Sequence, residues 1–106
     1  MTDKMPSIDI TTTQWKIVHD ILQQYVPQCE VWAFGSRVKK TARPYSDLDL
    51  AIVQDKALSL DLYAALNEAF SESNLPFKVD LVNWGQTSAT FKKIIEEQKV
   101  ILQKAR

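Results

Sequence analysis

Two aspartates one residue apart, Asp47 and Asp49, and a third at Asp80 are the side chains whose type and spacing best suggest chemistry. They lie in DLDLAIV (residues 47–53) and FKVDLVNW (residues 77–84), short β-branched runs that alternate in polarity and so read as strands. Alternation sends Leu48, Leu50 and Ile52 to one face and Asp47, Asp49, Ala51 and Val53 to the other. In the second run Lys78, Asp80 and Val82 oppose Val79 and Leu81. Carboxylates at i and i+2 stand roughly 6.5–7 Å apart at Cα, so both can lean onto one hard cation or each can hold one of a pair. If the two strands are neighbours, Asp80 joins them, and three acids on one face repel unless a cation is present.

An anion site is suggested close by. Gly35 and Ser36 directly follow the short run EVWAF (residues 30–34), where a glycine allows a tight turn and the next N–H groups open a helix. Ser36 adds a hydroxyl donor, and Arg37, Lys39, Lys40 and Arg43 follow with no acid among them. A phosphate cradle beside metal-binding acids is what a nucleoside triphosphate with magnesium requires, and the chemistry implied is phosphoryl or nucleotidyl transfer.

The elements that position these groups follow from pattern. Thr11, Thr12 and Thr13 offer N-caps to a helix carrying Trp15, Val18, Leu22 and Tyr25 and ending at Pro27. EVWAF is the first strand, with Ala33 expected on the face of Asp49 and Trp32 and Phe34 in the core, so that Ala33 and Ala51 floor the site. Ser36 starts a short basic helix, Ser59 or Asp61 caps a helix through Leu62, Leu66, Ala69 and Phe70, and Thr87 or Ser88 caps a last one with Phe91, Ile94 and Ile95. Residues 99–102 form a short strand or a helix tail. The order predicts a small α/β (α+β) sandwich, a sheet of three or four strands covered by helices mainly on one face. With 106 residues there is room for a single domain, residues 1–106, whose first ten read as a flexible arm.

Charge and composition narrow the function. Thirteen basic and 13 acidic residues give a formal net charge of zero, which argues against a general coating for nucleic acid or an anionic membrane. No second basic region offers itself to a template or primer, and no apolar run approaches the roughly 18 residues a membrane span needs. The lone Cys29 suits a reducing compartment, with the cytoplasm as the expected location.

The segment FGSRVKKTARPYSDLDLAIV (residues 34–53), in which Gly35-Ser36 and Asp47-Leu48-Asp49 are separated by ten residues, followed by VDLV (residues 79–82), resembles the DNA polymerase β-like nucleotidyltransferases. Within them it is most similar to the minimal nucleotidyltransferases, or MNT proteins, which are encoded beside a helical HEPN partner. The resemblance implies a mixed sheet with an open catalytic face, on which Asp47 and Asp49 hold Mg²⁺, with Mn²⁺ as a substitute, and Asp80 completes the carboxylate triad. Gly35 and Ser36 would bind the triphosphate, with Arg37 and Lys39 as further nucleotide contacts. It also implies an antitoxin that transfers AMP from ATP to a tyrosine of its HEPN toxin. Two positions depart from the pattern: Lys40 stands where many relatives have glycine, and Tyr45 where a small or acidic residue is common. Two other functions compete, a small-molecule nucleotidyltransferase with a helical substrate-binding partner and a nucleotide-binding subunit without turnover. Intact Asp47, Asp49, Asp80 and Ser36 oppose the latter. The acceptor, the base preference and the oligomeric state, homo-oligomers included, stay open at this level.

Overall fold

The computed structural model describes residues 5–54 and 56–105. Its elements run α1 (Thr12–Tyr25), β1 (Glu30–Phe34), α2 (Ser36–Lys39), β2 (Leu48–Val53), α3 (Leu60–Ser71), β3 (Val79–Asn83), a 3₁₀ turn (Trp84–Gln86), α4 (Ala89–Gln98) and β4 (Val100–Gln103). Local chemistry sets the helix ends. Thr11 accepts from the Gln14 N–H while the Gln14 side chain accepts from the Thr11 N–H, a reciprocal cap. Ser59 and Ser88 cap α3 and α4 by accepting from Leu62 and Phe91. Residues 99–102 resolve toward a strand, because the Lys99 backbone is extended and β4 pairs with β1.

The sheet is mixed and four-stranded, in the order β3-β2-β1-β4. β2 runs antiparallel to β1 and parallel to β3, with Asp49 opposite Phe34 on one side and opposite Asp80 on the other. Leu48, Leu50 and Ile52 enter the main core with Trp15, Val18 and Leu22 of α1 and Leu66 and Phe70 of α3. Each such side chain, fully buried, stabilises the fold by roughly 1.5–3 kcal/mol.

Three sequence expectations change here. Asp47 precedes β2 instead of opening it. The facing of β1 is the reverse of the one expected: Val31 and Ala33 point into the main core, whereas Trp32 and Phe34 share the Asp49 face with Ala51 and Ile95 of α4. Four successive apolar residues carry no alternation to read, and a central strand buried on both faces takes its orientation from pairing alone. The floor beside the acids is therefore Ala51 flanked by aromatics, and α4 covers part of the second face. Third, the expected flexible arm is anchored over residues 8–10. Ile8 is buried in the core, and Asp9 donates its N–H to the Arg37 carbonyl at 2.8 Å while its own carbonyl accepts from the Arg37 guanidinium at 2.7 Å. The first four residues of that arm lie outside the described residues.

Candidate active site

β1 ends at Phe34, and the chain turns through Gly35 at φ 82°, ψ −157°. Only glycine enters that region without strain. Space is the second reason for glycine, since a Cβ built on Gly35 would stand 2.2 Å from the Asp49 Oδ2. The backbone of the turn and the carboxylate of β2 are thus in direct contact.

Asp49 is half-buried, while Asp47 and Asp80 are exposed. Burial first, and then the charges of Asp80 and Asp47, push the Asp49 carboxyl up from 3.8 to about 6. Among the described residues none of the three carboxylates accepts a hydrogen bond or forms a salt bridge. Nor do three acidic, histidine or cysteine side chains converge on a point that could hold a metal by themselves. The donor chemistry nevertheless fits a hard cation: oxygen ligands, uncompensated charge, and two neighbouring carboxylates whose charge raises the proton affinity of Asp49. Magnesium is ordinarily held by one or two carboxylates together with substrate phosphates, so a closed protein cage is not required.

Ser36 opens α2, half-buried beside Gly35, and Lys39 at its end is exposed. Lys40 takes the left-handed conformation at φ 64°, donating its N–H to the Ser36 carbonyl. Glycine would occupy that position without steric cost, whereas an L-residue accepts roughly 1 kcal/mol of strain there.

Arg37, expected to contact nucleotide, is instead turned inward. It is 5% exposed, lies 3.9 Å from the Phe77 ring centroid, and donates to the carbonyls of Ser46, Asp9, Arg43 and Pro44. An alternation of basic and apolar residues cannot distinguish a solvated arginine from one that satisfies a loop's carbonyls. The guanidinium ties residues 43–46, and hence the approach to Asp47, to the anchored N-terminal segment. Replacing it with methionine keeps the bulk and orphans those carbonyls, so Arg37→Met should cost about 2–4 kcal/mol in urea melts. A loss below 0.5 kcal/mol, as for an ordinary surface site, would show that the clamp is dispensable.

One residue with no sequence signal reaches the Gly35 turn. The Gln98 side chain, at the end of α4, accepts from the Gly35 N–H at 3.0 Å across 63 residues of chain. Trp84 stands edge-on to Trp32 at 5.0 Å with the Lys92 ammonium 5.2 Å from its ring, so it closes the edge of the α4 layer. Clefts of about 500 Å³, lined by Leu58, Tyr63 and Asn83, and of about 490 Å³, lined by Asp9, Arg37 and Tyr45, are not lined by the three aspartates. Asp47 and Asp80 themselves are exposed to solvent beside the half-buried Asp49.

Residues 16–106 match the family model described as polymerase beta, nucleotidyltransferase. The chain belongs to this nucleotidyltransferase family. This nucleotidyltransferase is 51% identical over 96 residues to a Haemophilus influenzae protein named "Probable protein adenylyltransferase MntA", a match spanning 91% of this chain and 84% of that one. Its fold is shared with a crystal structure of a toxin-antitoxin with AMP-PNP, at TM-score 0.72 and 22% identity over 87% of this chain and 74% of the other. It is shared as well with the structure of a tri-AMPylated Shewanella oneidensis HEPN toxin in complex with MNT antitoxin, at TM-score 0.67 and 19% identity over 91% and 74% of the two chains. The matched residues include the Gly35 turn, Asp49 against it and Asp80 opposite Asp49 on the neighbouring strand. Among the described residues no helix is long and apolar enough to cross a membrane.

Proposed function

We propose that this nucleotidyltransferase is a cytoplasmic antitoxin that transfers AMP from ATP to a hydroxyl, a tyrosine, of a helical HEPN toxin. The observation that carries the reading is Asp49: a carboxylate pressed against the Gly35 turn, facing Asp80 across the parallel strand pair and left without a counter-charge. Close identity to a protein named as an adenylyltransferase supports the protein-directed form of the reaction.

Asp47 and Asp49 would hold Mg²⁺, or Mn²⁺ in its place, which when bound would neutralise the triphosphate and polarise the α-phosphorus. The Ser36 hydroxyl and the N–H groups opening α2 donate to the triphosphate, and Lys39 draws it in by charge. Asp80, exposed on the neighbouring strand opposite Asp49, would take the proton of the attacking hydroxyl. The acceptor oxygen then bonds to the α-phosphorus as the α–β anhydride bond breaks, and pyrophosphate leaves. An open site of this kind suits a protein acceptor that brings its own surface.

Incubating α-labelled ATP and Mg²⁺ with the chain and the protein encoded beside it should place label on that protein and release pyrophosphate. Unchanged ATP under both Mg²⁺ and Mn²⁺ would reject the enzymatic reading, and label on a small molecule would reject the protein acceptor. Within this site, Ser36→Ala should weaken binding of a nonhydrolysable ATP analogue by about 0.5–1.5 kcal/mol, the value of one neutral hydrogen bond. Lys39→Glu should weaken it further, with a loss that shrinks as salt is added. Titration calorimetry at two ionic strengths checks both, and equal affinity before and after would reduce the basic helix to a solvated surface.

A further inference from the structure

The contact between Gln98 and the Gly35 turn has a role that the reaction itself does not reveal. Gly35 lies against the Asp49 carboxylate, across a gap too small for a single added carbon. Its carbonyl is committed to α2, accepting from the Val38 and Lys39 N–H groups at 3.1 Å. Its N–H is committed to the Gln98 side chain at 3.0 Å. That partner is attached to the second face of the sheet, since α4 is seated by Ile95, fully buried with Trp32, Phe34 and Ala51, and by the Phe91 ring edge-on to Phe34 at 5.8 Å. Phe34 is the residue before Gly35 and the cross-strand partner of Asp49. The end of α4 therefore grips the turn from the side on which the carboxylate lies.

We propose that Gln98 is a positioning residue for nucleotidyl transfer: its side-chain carbonyl holds the Gly35 turn against Asp49, fixing the distance between the triphosphate donors of α2 and the metal-binding carboxylate. The role rests on the function proposed above. It also assigns the donors, because the Gly35 N–H is occupied by Gln98 and those of Val38 and Lys39 by the Gly35 carbonyl, so that the triphosphate is left to Ser36 and the Arg37 amide. A turn displaced by about 1 Å misaligns donors and carboxylate together, a change that can cost on the order of 10²-fold in rate.

Gln98→Met keeps length and bulk and removes the acceptor; Gln98→Glu keeps the acceptor. In the methionine variant the Gly35 amide should exchange its hydrogen faster by roughly ten-fold or more, while the Ile95 amide keeps the parent rate. Affinity for the nonhydrolysable ATP analogue with Mg²⁺ should fall by roughly 5- to 10-fold, and kcat/KM for AMP transfer to the toxin by roughly 10- to 100-fold. Gln98→Glu should restore Gly35 protection and recover kcat/KM to within about three-fold of the parent at saturating Mg²⁺. Glu97→Gln, on the exposed side of the same turn, serves as the control and should change nothing.

Faster Gly35 exchange with parental nucleotide affinity and parental kcat/KM would overturn the proposal, because the contact would then exist without consequence. Lost activity with unchanged Gly35 exchange would overturn it as well, since the effect would not pass through the turn. If the parent binds the analogue but labels no protein, the transfer reading falls, and weakened analogue binding in Gln98→Met would still support the positioning of the turn.

Discussion

Asp49→Asn should abolish AMP transfer, by about 10²–10³-fold or more, while leaving the metal-free protein as stable as the parent or more stable. The parent carboxyl titrates near 6 in the folded chain, against 3.8 ordinarily, because burial and the charges of Asp80 and Asp47 oppose its ionisation. The folded state then binds its proton more tightly than the unfolded chain does, so this contribution to stability is fully present below 3.8 and is lost as pH rises through about 6. Above that range the parent carries an ionised, half-buried carboxylate, a penalty of about 1–2 kcal/mol once water around the group is allowed for. Asparagine cannot ionise, so the variant should melt higher than the parent at pH 8, by about that amount, and the difference should close by pH 4. Added Mg²⁺ should reverse the order: at ten times its dissociation constant one bound cation stabilises the parent by about 1.4 kcal/mol, and the variant gains much less. A metal-free melting loss in Asp49→Asn at pH 8 would show that the carboxylate is a structural partner, not a charge held for a ligand.

The second large effect is expected at Gly35. An alanine there is strained twice, by backbone at φ 82° and by a Cβ 2.2 Å from the Asp49 Oδ2. The backbone term alone is roughly 1–3 kcal/mol, and with the clash Gly35→Ala should cost about 2–4 kcal/mol. Transfer should fall by about 10²-fold or more, because relief comes only by moving either the turn or the carboxylate. The two causes separate in a double-mutant cycle. Asp49→Ala removes the colliding oxygen, so the pair Gly35→Ala with Asp49→Ala should recover part of the lost stability, leaving the backbone strain behind. Strictly additive losses in urea melts would mean that the two residues do not meet.

How far the sequence reached can be judged at particular residues. Helix starts were legible because a hydroxyl at the N-cap is a local hydrogen bond, as Thr11, Ser59 and Ser88 show. β2 was legible because Leu48, Leu50 and Ile52 alternate with polar or small neighbours, and a strand with one polar end declares its faces. The three aspartates and the Gly-Ser turn were legible as a motif, since charge repulsion and a positive φ restrict which residues can stand there. β1 declared nothing, because EVWAF is apolar on both faces and only its register with β2, Phe34 opposite Asp49, assigns them.

Arg37 and Gln98 belong wholly to the tertiary structure. Neither composition nor spacing tells that the donors of an arginine in a basic run will be consumed by the carbonyls of Arg43, Pro44, Ser46 and Asp9. No local pattern links Gln98 to a glycine 63 residues earlier. The sequence by itself marked the candidate groups, the three aspartates and the Gly35 turn, because charge and backbone freedom are properties of the residues themselves. Only the tertiary structure decided what holds them in place, because a backbone N–H or carbonyl takes whichever partner the packing of the sheet and α4 brings within about 3 Å.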